Sequence, residues 1–298
     1  MDNNSKPDNV NAKKLSVIIV NYNGHDYLKK CLKSLEKFAL PGSGYSSETV
    51  VVDNASTDGS VEMTEKFFRS VKIIRNNSNK GFASAVNSGI ESTFSEFILL
   101  LNSDCEVYGN SLRMLVDFMD GNSCAGVAGP KILNSDGSVQ LSCRKFPALM
   151  DAAMHAIIGS VKPDNVFSRR YKLAEIPKED TFMVDWVSGS CMMIRRDSLI
   201  DTGLMDEKYF MYVEDADLCW RMWKEGWKVY YFPESRILHH SGKSTKKGGI
   251  KSVITMQKST AYFFRKNYRQ TAKILLYPLL LVVLGMRILL TFIKNLLK

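Results

Sequence analysis

The stretch Phe-Ile-Leu-Leu-Leu-Asn-Ser-Asp at 97–104 is an unbroken apolar run that ends, with no polar transition, in a carboxylate. Such a run suits a strand buried on both faces, as central parallel strands are when helices lie above and below them. Open α/β sheets bind ligands in the crevice beyond the carboxyl ends of these strands, which makes Asp104 the first candidate for chemistry. The surrounding chain repeats the unit. Strands are expected over 15–20, 49–52, 71–75 and 97–101, alternating with helices over 27–38, 60–68 and 81–92. Tyr27, Leu28, Cys31, Leu32, Leu35 and Phe38 fall at helical spacing, Pro41-Gly42-Ser43-Gly44 marks a loop, and Ser56 to Gly59 supply cap and turn residues. Regular alternation of this kind specifies a parallel sheet with right-handed crossovers.

Beyond Asp104 the pattern loosens. A helix is expected over 112–118, a strand over 126–133, a tight turn at Asn134-Ser135-Asp136-Gly137, a strand over 184–194 that contains Ser188, Gly189 and Ser190, and a helix over 215–225. Residues 146–180 show no period and are assigned to a loop-rich acceptor-binding region. With 45% hydrophobic and 24% charged residues, the 298-residue chain has the composition of a globular protein. The net charge of +9 admits nucleic acid, an anionic membrane surface or phosphorylated substrates. Placement decides among them: basic residues from Lys243 to Lys273 crowd the approach to an apolar tail, which favours a membrane surface over nucleic acid. The six cysteines form no Cys-x-x-Cys pair and read as reduced, buried fillers. Residues 1–14 are polar, without a secretory signal, so the folded part is expected in the cytoplasm.

Asp53 ends the second strand as Asp104 ends the fourth, and in a parallel sheet both face one edge. Helix capping is the competing role for each. The 53–59 segment resembles a calcium loop, but its glycine falls one position late for an EF-hand. Neither a P-loop nor a Gly-x-Gly-x-x-Gly turn is present, and the loop after the first strand is Asn21-Tyr22-Asn23-Gly24. A phosphate-bearing ligand would then be held through Mg²⁺ or Mn²⁺ on Asp104, since such ions take only one or two protein carboxylates beside substrate phosphates. A second acidic cluster, Glu214-Asp215-Ala216-Asp217, sits among Tyr209, Phe210, Tyr212, Trp220 and Trp223. Neighbouring charge and burial raise carboxylate pKa values, which suits a general base; acids at a helix N-terminus, with Asp217 paired to Arg221, are the structural alternative.

Together, Val17 to Gly24, Val51 to Ser60, Asn79-Lys80-Gly81-Phe82-Ala83, Leu101-Asn102-Ser103-Asp104 and Glu214 to Asp217 resemble the family 2 glycosyltransferases, especially the rhamnosyltransferase-like branch. The resemblance runs from about 15 to 244. It implies an α/β GT-A fold, a Rossmann-like, mainly parallel sheet flanked by helices, and an inverting, metal-dependent transfer from a nucleotide-diphosphate sugar. Carried over by position, Asn21, Tyr22, Asn23, Asp53, Asn54, Lys80, Gly81, Asn102, Ser103 and Asp104 would bind the donor. Asp215 would be the catalytic base; Trp186, Gly189, Ser190 and Glu214 would line the sugar and acceptor pocket. Asp104 and His239 would hold the metal, with His240 adjacent. Asn102 departs from the Asp-x-Asp pattern, leaving Asp104 as the charged ligand. Deoxythymidine-diphosphate rhamnose or a uridine-diphosphate hexose is the implied donor, and a glycan or lipid-linked acceptor in cell-surface polysaccharide synthesis the implied partner.

The expected organisation is a polar tail over 1–14, a GT-A domain over 15–250 with nucleotide-binding and acceptor-binding halves meeting near 105, and a basic, apolar helical tail over 251–298. Residues 274–293 are long enough to cross a bilayer of about 30 Å. Arg287 and Pro278 weigh against a simple span; a helix lying in the interface and a core helix of the soluble fold are the other arrangements. Attachment to the cytoplasmic face of the membrane is expected. A sugar nucleotidyltransferase and a non-catalytic nucleotide-sugar or glycan-binding protein are the other classes that such a core admits.

Overall fold

The computed structural model describes residues 14–38, 45–146, 165–174, 179–240 and 243–296. Its first half is the predicted alternation: β1 Leu15–Asn21, α1 His25–Phe38, β2 Ser47–Asp53, α2 Ser60–Phe67, β3 Lys72–Arg75, α3 Phe82–Glu91 and β4 Phe97–Leu101. Strands β3, β2, β1 and β4 lie side by side in that order, every neighbouring pair parallel. All five residues of β4 are buried, because side chains on both of its faces enter helix-covered cores. Asn21 is in register with Asp53, so the ends of β1 and β2 reach the crevice together.

The second half of the sheet is mixed. After β5 Cys105–Val107, α4 Ser111–Gly121, β6 Ala125–Leu133, β7 Val139–Gln140 and β8 Cys143–Arg144 come the short helix α5 Val166–Tyr171 and the strands β9 Phe182–Met183, β10 Trp186–Val187 and β11 Cys191–Arg195. Then follow α6 Arg196–Thr202, α7 Glu214–Lys224 and β12 Lys228–His239. Strand β11 runs antiparallel to β4 and β6; β12 is parallel to β6 and antiparallel to β5. The strand expected over 184–194 is in fact two. Strand β10 pairs with β8 in a separate ribbon, β11 joins the main sheet, and residues 188–190 step between them. The break has a cause: the Gly189 amide turns away from any ladder to donate to Asp215, while the Ser190 carbonyl accepts from the Asn102 amide. Most of the unreadable 146–180 stretch lies outside the described residues.

Two further helices close the chain, α8 Lys243–Asn267, kinked at Gly249, and α9 Tyr277–Leu296 after a 3₁₀ turn. The expected boundary at 250 falls just past that kink. A third core joins them to the domain: Tyr209, Phe263, Phe264, Tyr268, Leu280 and Leu284 are buried together. Beneath it lies Asp217, 0% exposed, which accepts from Tyr209, Arg221, Lys266 and Asn267; Lys266 also pairs with Asp206 at 2.8 Å. The Asp217–Arg221 pairing offered as the structural alternative for the acidic cluster is therefore present, for this acid. Helix α9 buries Leu280, Val283 and Leu284 and exposes Leu279, Val282, Met286, Leu289 and Ile293. Residues 274–293, with a mean hydropathy of 2.3, are long and apolar enough to cross a membrane. Substituting Asp217→Asn should lower unfolding stability by about 3 kcal/mol in urea titrations, since two cations lose the charge that their burial requires.

Candidate active site

The crevice is built at the carboxyl ends of β1, β2 and β4. On one side Asp53 is 3% exposed; its Oδ1 accepts from Asn21 Nδ2 at 3.0 Å and its Oδ2 from the Ser56 amide at 2.8 Å. The second contact closes a local turn rather than capping the next helix, whose N-cap is Gly59, so the helix-capping alternative does not hold for Asp53. Asn21 Oδ1 is buried without a hydrogen-bond partner, an acceptor left available at this end of the sheet. Asn23 accepts from the Thr57 amide and takes a positive φ, and Tyr22 is exposed. Asn54 is spent inside the protein: its Nδ2 donates to the Gly81 carbonyl and its Oδ1 accepts from Asn76. Gly81 itself has φ +88°, and a Cβ there would overlap the Phe210 carbonyl oxygen. That carbonyl accepts from the Phe82 amide at 2.7 Å, which clamps the 206–213 loop onto the start of α3. Lys80 is exposed beside it.

Asp104 and His239 meet where β12 ends against β5. Their Oδ1 and Nε2 atoms are 3.2 Å apart. His239 Nδ1 lies 2.9 Å from Gln140 Oε1, while Gln140 Nε2 donates to the His239 carbonyl and to Asn134 Oδ1. Gln140 thus presents an acceptor to Nδ1 and fixes the tautomer whose bare Nε2 faces the carboxylate. Two lone pairs directed at each other require a cation or a proton between them, and a carboxylate oxygen with an imidazole nitrogen suits Mn²⁺ better than Mg²⁺, whose ligands are oxygens. Cys105 Sγ lies within 4.8 Å of both ligand atoms, but complete burial pushes its thiol far above the ordinary range and it donates to the Ser190 carbonyl. It packs rather than ligates. His240 points elsewhere, to Glu106 and Ser135, so of the two histidines His239 is the one beside Asp104.

The acidic cluster is prepared by strain. Tyr212 and Val213 both have φ +70°, unfavourable for bulky side chains and most of all for β-branched valine, immediately before Glu214 and Asp215 open α7. Asp215 Oδ2 accepts from the Gly189 amide at 3.0 Å and Oδ1 from the Ala216 amide at 2.8 Å. Burial raises the Asp215 carboxyl above the ordinary aspartate range, opposed by those amides and by the Arg144 guanidinium. Glu214, 6% exposed with an unpartnered Oε2, is pushed well above its range by burial and by Asp215. Trp186 is buried, its indole N–H donating to the Lys145 carbonyl, with Arg144 stacked 4.9 Å from its ring centre.

The turn at 188–190 joins the two halves. Ser190 accepts from Asn102, two residues before Asp104, and Gly189 donates to Asp215, so one short turn spaces the Asp104 end of the site from the carboxylate on α7. Gln140 and Arg144 carry no signal in the sequence, lying on two-residue strands too short to show a period. Phe210, which the sequence offers only as an aromatic beside the acidic cluster, acts here through its backbone carbonyl, which no side-chain pattern reports.

A mixed α/β sheet flanked by helices, with the crevice at strand ends, is the architecture of GT-A enzymes. The model for "Glycosyl transferase family 2" matches residues 16–203, and the chain belongs to that family. It is a glycosyltransferase and resembles the rhamnosyltransferases in particular, which sets aside the nucleotidyltransferase and simple binding-protein classes. It is 31% identical over 260 residues to the N-acetylglucosaminyl-diphospho-decaprenol L-rhamnosyltransferase of Mycobacterium tuberculosis, covering 84% of this chain and 83% of the relative. It is 26% identical over 262 residues to rhamnosyltransferase WbbL of Escherichia coli, covering 84% and 92%. Among solved structures, the mannosyltransferase PcManGT of Pyrobaculum calidifontis, in complex with GDP-Man and Mn²⁺, superposes with a TM-score of 0.60 at 16% identity, over 93% of this chain and 74% of that one. GalNAc-T7 with UDP, GalNAc and Mn²⁺ gives 0.57 at 18% identity, over 85% and 50%.

A carboxyl whose pKa is higher folded than unfolded stabilises the fold most when protonated. Glu214 therefore contributes stability below the usual glutamate value near 4.5 and loses it as pH rises toward its raised folded value. Replacing it by glutamine should flatten the fall in urea stability as pH rises above the usual glutamate value and leave the variant the more stable at the upper end.

Proposed function

We propose that this enzyme moves rhamnose, or a related hexose, from a nucleotide-diphosphate donor to a lipid-linked glycan acceptor, inverting the anomeric centre, at the cytoplasmic face of a membrane. The observation that carries the reading is Asp215, a half-buried carboxylate that follows the strained Tyr212-Val213 pair and is tied through the 188–190 turn to the end of the sheet that bears Asp104 and His239. The rhamnosyltransferase relatives support the sugar and, in the mycobacterial case, the lipid-linked acceptor.

An acceptor hydroxyl is a weak nucleophile. Asp215, held above the ordinary aspartate range by burial, takes the hydroxyl proton as the oxygen attacks the anomeric carbon from the side opposite the diphosphate. The new carbon–oxygen bond forms as the bond to the diphosphate breaks, and the diphosphate leaves with the bonding pair. Two backbone amides orient the carboxylate, and the Arg144 guanidinium keeps its anion accessible. Asp104 and His239 would hold a divalent cation, whose contribution is to neutralise charge on the departing diphosphate. Asn21, Asp53 and the Gly81 turn would receive the nucleotide. Tyr22, Asn23, Lys80, Asn102 and Ser103 would border it. Trp186, Gly189, Ser190 and Glu214 would line the sugar and acceptor side. The exposed apolar face of α9, flanked by basic residues, would rest in the membrane interface.

Thermal stabilisation by a panel of nucleotide sugars, with and without Mn²⁺, identifies the donor: a deoxythymidine- or uridine-diphosphate sugar should raise the midpoint only with metal. Asp104→Ala or chelation should abolish that shift; a shift that survives both removes the metal from the reading. Asp215→Asn should keep the donor shift and lose about 10²–10⁴-fold in kcat. The wild-type acid limb of kcat/KM should sit above the ordinary aspartate range, rates falling as pH drops through it; unchanged turnover in Asp215→Asn refutes the base.

A further inference from the structure

The 206–213 loop leads into Asp215, and two successive carbonyls near its end are held by two different elements. The Phe210 carbonyl accepts from the Phe82 amide at the start of α3, at 2.7 Å, and the Met211 carbonyl accepts from Ser259 Oγ of α8 at 2.8 Å. A held carbonyl fixes the planar peptide group to which it belongs. Two residues on, the Val213 carbonyl accepts from the Asp217 amide at 2.9 Å, the opening bond of α7. Tyr212 and Val213, both at φ +70°, therefore lie between two fixed peptide planes. Left-handed backbone at bulky residues persists only where the surroundings over-determine it. On one side those surroundings are α7 itself; on the other they are Ser259.

Ser259 does not serve its own helix. Thr255 and Thr260 return their hydroxyls to the carbonyls four residues back, at 3.0 and 2.8 Å, as such side chains do inside helices. Ser259, 6% exposed, reaches instead to a residue 48 positions earlier. Tyr209 is sunk in the third core, but beside Phe210 a cavity of about 430 Å³ opens between the loop and α8, lined by Lys208, Phe210, Thr255, Lys258, Ser259 and Tyr262. The other hydrogen bonds from α8 to this loop are at its start, where Asp206 accepts from Tyr262 and Lys266.

We propose that Ser259 is a positioning residue for glycosyl transfer: by holding the Met211 carbonyl it keeps the Tyr212-Val213 pair in the conformation that seats Asp215 against Gly189. This rests on the reading of Asp215 as the base. It gives α8, the helix that leads to the apolar tail, a part in catalysis as well as in the fold.

The test compares Ser259→Ala with wild type as full-length protein in detergent. Amide hydrogen exchange needs no substrate. Gly189 and Ala216, which donate to Asp215, and Asp217, which donates to Val213, should exchange about fivefold faster, the scale of one neutral hydrogen bond. The Asn54 amide, bonded to the Asn21 carbonyl at 2.8 Å, should keep its wild-type rate. An unchanged rate at Gly189 overturns the proposal, and so does an equal rise at Asn54, which would mean only a less stable fold. Turnover is read as nucleoside diphosphate released from deoxythymidine-diphosphate rhamnose or uridine-diphosphate glucose, with Mn²⁺ and with water as acceptor. Ser259→Ala should lose about fivefold in kcat with the donor KM unchanged, and the loss should vanish in the Asp215→Asn background, because the serine acts through that carboxylate. An equal loss in both backgrounds overturns the positioning role. Turnover that Asp215→Asn leaves intact refutes the base instead, while the exchange rates report the seating of Asp215 by themselves.

Discussion

The hydrogen bond from the Gly189 amide to Asp215 is the contact on which the rest of the site depends. It is made by a turn that cannot remain in either neighbouring strand, because its other end accepts from Asn102. Through those two bonds the carboxyl edge of the parallel half of the sheet and the N-terminus of α7 are set at one spacing. Burial raises the carboxylate's basicity, the amide donors and Arg144 oppose that rise, and the strained Tyr212-Val213 pair shows that the surrounding packing imposes the position. Loop clamping works in the same direction: Gly81 lacks the Cβ that would push Phe210 away, and Phe210 begins the approach to that strained pair.

The elements most legible in the sequence are those with a strong period and their own termini. Strands β1 to β4, helices α1 to α3, and Asp53 and Asp104 at strand ends follow from apolar runs closed by polar residues. Strand β12 gives no clean signal in the sequence because its pattern is interrupted: Pro233 lies within it, and its register to β6 shifts between Phe232 and Arg236. Proline in a sheet is confined to such irregularities, so a local reading breaks the strand that carries His239 to Asp104. The split at 188–190 was hidden for the opposite reason, since apolar residues on both sides of Ser188-Gly189-Ser190 read as one run although each side belongs to a different sheet.

The choice between His239 and His240 shows where residue types stop and geometry begins. Adjacent strand residues point to opposite faces, so only one of the pair can face Asp104, and register decides which. Antiparallel pairing of His239 with Cys105 puts it beside the residue that precedes that cysteine, and Gln140, from a two-residue strand with no readable signal, turns the ring. The Asp104–His239 end of the site is thus a product of sheet register, whereas the Asp215 end is a product of one turn.

The network around Asp217 bears on how this protein can be handled. Lys266 and Asn267, which satisfy a completely buried carboxylate on the helix that carries Asp215, belong to α8, a stretch that looks by sequence like the start of a disposable anchor. The catalytic fold therefore extends past its own sheet. A truncation keeps the Asp217 network only on the far side of Asn267, and it keeps the third core only if Leu280 and Leu284 of α9 are retained as well.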